Sequence, residues 1–344
     1  MDIQASARGR SKARSRGRKA WILGATLLVV TLVGANVAAY LHAGAMLRFD
    51  ASGAQTRRPE ELRVLDKLTV LLTGVSIPRP VNDRDPSSVG LAFETVHFDT
   101  SDGHTLEAWH IERPGPSSST GPPPKGLVVL FHGYAAPKST MLPYARAFHG
   151  AGYACLLVDF RGSGGSTGSA TTIGHDEARD VIAAAAWARA RTDGPLILFG
   201  HSMGAAAVLR AASPRATGQP LEADALVVEA VFGTMLSAVR GRFDVMGVPA
   251  WPFAELLVFW GGVQSGFSAF EHNPLDYARD VTLPTLFLHG ADDRRAPVDE
   301  VRTMHASMGA TAELAVFEGV EHESLYHRDG ERWVQTVEAF LTGL

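Results

Sequence analysis

Cysteine is all but missing from this chain of 344 residues, which holds one, Cys155. That excludes an intrachain disulfide, and the place of Cys155 in the apolar run from Tyr153 to Val158 reads as a strand with a structural thiol. Metal-ligand spacing is lacking as well, because His201, His289 and Cys155 share no interval that would build a zinc site. The glycine-rich stretch from Asp159 to Gly168 lacks the Gly-Lys-Ser or Gly-Lys-Thr ending that holds phosphate and magnesium. It therefore reads as a structural loop, with Asp159 and Arg161 as an expected pair. No internal repeat or coiled-coil heptad is present. Basic charge is concentrated at the start: the first twenty residues carry +6 against −4 for the whole chain, which leaves −10 for the rest. No nucleic-acid role is expected of that remainder, and any such role would rest on the tail.

What is present begins with Trp21 to Leu41, a run without a charged residue directly after the basic tail. About 20 apolar residues suffice for a helix to cross the hydrocarbon core of a bilayer. Basic residues before the run and none after it until Arg48 predict a cytoplasmic N-terminus and an extracytoplasmic remainder, with Trp21 and Tyr40 at the two interfaces. The competing reading is a cleaved signal peptide, for which the small residues around Ala43, Gly44 and Ala45 offer a site. The run is longer than a usual signal core, which favours a retained anchor in the cell membrane. The expected organisation is a basic tail over 1–20, an anchor over 21–42, a linker and packing helix over 43–90, and a globular domain over 91–344. Within 43–90, residues Arg48 to Pro59 read as a polar linker. Glu60 to Leu72 read as a helix, on the spacing of Leu62, Val64, Leu65, Leu68, Leu71 and Leu72.

In the globular part, Thr95–Phe98 and Leu106–Ile111 flank the turn sequence Ser101-Asp102-Gly103 and read as a hairpin. An exposed loop rich in proline and serine follows, Pro114 to Pro124. From Leu127 onward, continuous apolar runs alternate with helical stretches. The runs are Leu127–Phe131, Tyr153–Val158, Leu196–Phe199, Ala225–Val228, Thr285–Leu288 and Glu313–Phe317. Apolar strands without alternation, joined by helices, describe a parallel sheet covered on both faces. Val231 to Tyr277 breaks the rhythm and is rich in large residues such as Trp251, Phe259 and Trp260. It reads as a helical cap at about 231–277 that could wall a pocket for an acyl or aromatic group.

The chemistry centres on Gly200-His201-Ser202-Met203-Gly204, set between a strand and a helix. So tight a reversal holds Ser202 at a strained backbone position, and the glycines two residues to either side remove the Cβ atoms that would clash. A serine needs a base to take its proton, and the base needs an orienting partner. Loops at the carboxyl ends of later strands offer both, Asp293 for the carboxylate and His322 for the base, with Asp292, Asp299 and His327 as rivals. The backbone N–H groups of Tyr134 and Met203 are candidates for an oxyanion hole, and His132 reads as a support for its loop.

Taken together, F-H-G-Y at 131–134, V-D-F-R-G-S-G-G-S-T-G at 158–168, G-H-S-M-G at 200–204, L-H-G-A-D-D-R-R-A-P at 288–297 and G-V-E-H at 319–322 resemble the α/β-hydrolase superfamily. In detail the chain is similar to membrane-anchored members of its serine aminopeptidase and Bem46-like branch. The resemblance covers about Phe93 to Leu344 and implies an α/β fold: a mostly parallel eight-stranded sheet, helices on both faces and a short helical cap. It further implies an acyl-enzyme on Ser202, a triad completed by Asp293 and His322, no metal or cofactor, and a small-molecule or lipid ester as substrate. Tyr134 stands where some members have a further glycine, so no roomy loop for bulky alcohols is indicated. Two other readings remain: a peptidase or amidase, and an inactive hydrolase-like binding protein.

Overall fold

The computed structural model describes residues 3–51, 56, 63, 66, 70, 74–112 and 124–343, with side chains from residue 18 onward. The helix expected over Glu60–Leu72 lies outside the described residues apart from isolated positions, as does the loop Pro114–Pro124 apart from its last residue. Helices of eight or more residues are numbered below.

Eight strands form one sheet in the order β1-β2-β4-β3-β5-β6-β7-β8. They are β1 Glu94–Asp99, β2 Thr105–Ile111, β3 Leu127–Phe131, β4 Ala154–Val158, β5 Leu196–His201, β6 Ala225–Glu229, β7 Thr285–Gly290 and β8 Ala312–Phe317. The hairpin β1–β2 and the β2–β4 pair are antiparallel, and every other pair is parallel. The unbroken apolar runs have their cause in the layers. In β5, Leu196 and Leu198 enter one buried cluster while Ile197 and Phe199 enter the other, so no position is left for a polar side chain. Helices α2 (Leu142–Gly150) and α8 (Gly330–Thr342) contribute Phe148 and Trp333 to one cluster. Helices α3 (Glu177–Arg189) and α4 (Met203–Ala212) contribute Val181 and Val208 to the other.

The chain leaves β3 toward β4 on one side and returns to β5 on the other. Loops that leave strands at such a reversal diverge and open a crevice at the carboxyl ends. Residues 132–134 follow β3 and Ser202 follows β5, so both border it.

The cap comprises α5 (Met235–Met246) and α6 (Phe253–Ser265), inserted between β6 and β7. Thr234 caps α5 and Ser237 returns the bond, a reciprocal box that satisfies two otherwise free N–H groups. The N-terminal helix α1 (Ile3–Leu47) contains the one described stretch long and apolar enough to span a membrane, Arg18–Leu47. It continues past residue 42, where composition alone would end it, and its last turns pack on the domain, with Ala39, His42 and Ala43 buried. The next residues are bound rather than free. Phe49 N–H donates to Ser169 O at 2.8 Å and Asp50 N–H to Ile77 O at 2.9 Å. The last helix between α6 and α8, α7 (Val298–Met308), follows β7 and precedes β8.

The glycine-rich loop is structural, as its missing lysine suggests, but its charges pair differently from the expected Asp159–Arg161 contact. Asp159 accepts from Lys138 Nζ at 2.5 Å, and Arg161 is held by Asp180 at 2.6 Å and Asp102 at 2.8 Å. The loop's interior is already occupied by the Asp159 carboxylate, which accepts from Gly165 N–H at 3.1 Å. A Cβ on Gly164 would fall 1.8 Å from that carboxylate, which is why glycine stands there. Arg79 closes the loop from outside by donating to the carbonyls of Gly164 and Gly168.

Candidate active site

Ser202 sits between the end of β5 and the start of α4 with φ 53° and ψ −111°, a left-handed conformation costly for any residue but glycine. Its neighbours allow this turn. A Cβ on Gly200 would lie 2.6 Å from the backbone nitrogen of Ala205, and one on Gly204 would lie 2.5 Å from the carbonyl oxygen of Phe131. Backbone atoms at such distances cannot give way, so both positions require glycine. The Ser202 N–H donates to Glu229 O at 2.8 Å, which fixes the turn to β6.

The structure brings Ser202, His322 and Asp293 together in a line. Ser202 Oγ lies 3.0 Å from His322 Nε2, and His322 Nδ1 lies 2.6 Å from Asp293 Oδ2. The other carboxylate oxygen, Oδ1, accepts from the N–H groups of Arg295 and Ala296, each at 2.9 Å. Burial works against ionisation of Asp293, but the hydrogen bond and charge of His322 and the Ala296 N–H outweigh it and hold the carboxyl below its usual range. An ionised Asp293 accepts the Nδ1 proton of His322 and so leaves Nε2 unprotonated toward the serine hydroxyl.

The rivals stand elsewhere. Asp299 pairs with Arg302 at 2.9 Å on the exposed face of α7, His327 is exposed, and Asp292 contributes its backbone N–H to Val320 O. His132 is a loop support: Nδ1 donates to Gly133 O at 2.8 Å and Nε2 accepts from Phe160 N–H at 3.0 Å. Burial lowers its pKa, so it stays neutral. Met203 opens α4, where the first N–H groups have no partner within the helix. A Cβ added to Gly133, next to Tyr134, would meet Ser202 Cβ at 3.7 Å, so this loop lies beside the serine. The phenol of Tyr134 donates to Met46 O of α1 at 2.5 Å. Burial pushes that phenol up to about 12, against the opposing Arg242 charge.

One residue of the site is missed by the sequence reading. Glu229 is fully buried at the end of β6, and its carboxylate accepts from Tyr144 OH at 2.5 Å, Leu325 N–H at 3.1 Å and Trp333 Nε1–H at 2.7 Å. Tyr144 also reaches Ser324 Oγ at 2.7 Å, so this carboxylate ties down the segment that directly follows His322. Burial, only partly offset by these donors, raises its pKa to about 7. The available signal was an acidic residue closing the otherwise apolar Ala225–Glu229. His201, beside the serine, is also buried and lowered to about 3, which keeps it neutral.

An open cleft of about 600 Å³ adjoins the Asp293 side of the site, with Asp244, Asp292, Asp299 and Glu321 on its walls. Asp244 is paired there with Arg294 at 2.9 Å. Among the described residues no group of three or more histidine, cysteine or carboxylate side chains is arranged to hold a metal.

Comparison with known proteins agrees with this architecture. The family described as serine aminopeptidase, S33, matches residues 122–241. The chain is 29% identical to the uncharacterized protein Rv2307c of Mycobacterium tuberculosis over 260 residues, 74% of this chain and 82% of that one. It is 24% identical to YqkD of Bacillus subtilis over 245 residues, 70% of this chain and 77% of that one. Among solved structures, an esterase of Pyrococcus furiosus, Pf2001, superposes with a TM-score of 0.63 at 23% identity, covering 77% of this chain and 96% of that one. An esterase of Exiguobacterium antarcticum superposes with a TM-score of 0.53 at 20% identity, covering 72% and 100%.

Proposed function

We propose that this chain, whose fold is that of the α/β-hydrolase superfamily, is a serine hydrolase that cleaves carboxylic esters of small or medium acyl groups through an acyl-enzyme on Ser202. The observation that carries the reading is the line Ser202 Oγ, His322, Asp293, at 3.0 and 2.6 Å, with the serine on a strained turn. His322 takes the hydroxyl proton as Oγ attacks the ester carbonyl, and Asp293 keeps its tautomer and stabilises the imidazolium. The N–H groups of Met203 and Tyr134 receive the oxyanion, each contributing about 3 kcal/mol to lowering the barrier. His322 then hands its proton to the departing alcohol, and water repeats the sequence in reverse to free Ser202.

We further read α1 as a retained anchor that crosses the cell membrane once, with the basic tail in the cytoplasm and residues from about 43 onward outside. Its buried turn at Ala39–Ala43 supports retention, since cleavage near Ala45 would strip the domain of that packing. Esters of membrane lipids are then within reach of the site. The acidic cleft beside Asp293 favours one second reading, an amidase or peptidase that holds the free amino group of its substrate there.

The test is hydrolysis of p-nitrophenyl esters from acetate to palmitate by the full chain in detergent, with S202A alongside. Turnover by the native chain that is lost in S202A supports the reading, and its maximum along the series sizes the pocket. Equal, negligible turnover on every ester together with S202-dependent turnover of aminoacyl amides would favour the second reading instead.

A further inference from the structure

Beyond Leu47, six large apolar side chains are exposed among the described residues, and five of them fall in one short segment of the cap: Trp251, Phe253, Phe259, Val263 and Phe270. Chance does not gather them there, and a concentration of exposed apolar side chains of this kind marks contact with a partner or a membrane. Helix α6 runs through the middle of the segment and is apolar or glycine at every position from Leu256 to Val263. Such a helix is normally enclosed on all sides. Here Ala254, Val258 and Gly262 face the domain, while Phe259 and Val263, one turn apart on another face, are about half exposed, at 49% and 54%.

The third face of α6 rests on α1. Trp260 Nε1 donates to Asn36 Oδ1 at 3.1 Å, its ring meets Tyr40 edge-on with centroids 5.4 Å apart, and Gln264 Nε2 donates to Tyr40 O at 2.8 Å. These contacts set the depth of α6. At about 1.5 Å of rise per residue, Asn36 lies roughly 7 Å below Leu41, where the uncharged run ends. A helix that touches α1 at Asn36 and Tyr40 cannot stand in bulk water while Trp21–Leu41 crosses the bilayer.

We propose that the cap is a membrane-docking surface, with α6 lying in the outer leaflet of the bilayer that α1 spans and the face of Phe259 and Val263 against lipid. The proposal rests on the reading of α1 as a span. Continuity with α1 selects lipid as the occupant over a soluble partner, because α6 is level with the lipid before any partner arrives. The flanking aromatic residues, with Trp251 74% exposed, are of the type that settles at the boundary of hydrocarbon and headgroups. One consequence concerns the substrate path. Tyr134, in the loop after β3 that borders the crevice, binds Met46 at the outer end of α1, which ties this border of the site to the point where α1 leaves the membrane. An ester drawn from that leaflet reaches the serine along the cap.

The experiment places an environment-sensitive fluorophore on single engineered cysteines of the full chain in phosphatidylcholine vesicles carrying nitroxide-labelled lipid. Native Cys155 is fully buried, and unmodified chain carried through the same reaction corrects for any labelling there. The positions are Val263→Cys in α6, Val29→Cys in the middle of α1 and Glu338→Cys on the exposed face of α8. The expected result is at least twofold quenching at Val263→Cys by nitroxides near the headgroup, quenching at Val29→Cys by nitroxides deep in the chains, and none at Glu338→Cys. Quenching at Val29→Cys with none at Val263→Cys would overturn the docking surface and leave the anchor standing. Absence of quenching at Val29→Cys would remove the span, and the docking surface with it.

Discussion

Glu229→Gln probes the buried carboxylate behind the site with almost no change of volume. The native group accepts three hydrogen bonds, from Tyr144 and Leu325 on Oε1 and from Trp333 on Oε2. Glutamine has one acceptor oxygen and one NH2 group. If the oxygen faces Tyr144 and Leu325, the NH2 confronts the Trp333 N–H; if it faces Trp333, the NH2 confronts the Leu325 N–H. Either way one buried donor loses its partner, at a cost of about 1–3 kcal/mol. The effect depends on pH with a definite sign. A carboxyl raised from 4.5 to about 7 on folding stabilises the native chain fully below pH 4.5, and that contribution, about 3 kcal/mol, is lost as pH rises through 7. Glutamine does not titrate, so the deficit of the variant is largest near pH 5 and shrinks toward pH 8. Urea unfolding of both proteins across that range, in detergent, measures it. A deficit that is constant with pH, or that grows as pH rises, would be incompatible with a Glu229 carboxyl raised by burial.

Three further outcomes are expected. Asp293→Asn retains a carbonyl for the N–H groups of Arg295 and Ala296 but presents NH2 to His322 Nδ1, forcing the tautomer that carries a proton toward Ser202. kcat on a p-nitrophenyl ester falls about 10³- to 10⁴-fold, while circular dichroism shows the fold intact. Gly204→Ala sets a methyl 2.5 Å from Phe131 O and destabilises the chain by about 1–3 kcal/mol or more in thermal unfolding, with loss of turnover even where it folds. Cys155, fully buried and with its thiol pushed up by that burial, stays unreactive to a disulfide reagent in the native chain and reacts once in denaturant.

Much of this was legible in the sequence because the signals are local. The apolar runs gave six of the eight strands within two residues, since a strand covered on both faces leaves little room for a polar residue, and the turn at Ser101-Asp102-Gly103 gave the hairpin of the other two. The turn at Ser202 was legible because its glycines answer to backbone contacts within a few residues or directly beneath it. Asp293 and His322 were named from their place after the last two strands, which the sheet order requires of groups that are to meet Ser202. What escaped depends on distant partners. Asp159 and Arg161 lie two residues apart and look like a pair. Yet Lys138, from the loop after β3, and Asp180, on α3, come from elsewhere and take one each. Glu229 looked like the polar end of a strand, because Tyr144 and Trp333 lie 85 and 104 residues away. The docking of α1 was hidden for the same reason, since Trp260 and Asn36 are 224 residues apart.

The central claim is that Ser202 is the nucleophile activated through His322 and Asp293, and a fluorophosphonate tests it most directly by forming a covalent adduct with an activated serine. Full-length chain is treated with the reagent, digested and examined by mass spectrometry. A single phosphonylated peptide carrying Ser202 is expected, with labelling slowed by orders of magnitude in His322→Ala and absent in S202A. An adduct on another residue, or labelling at Ser202 that proceeds as fast in His322→Ala as in the native chain, would contradict it.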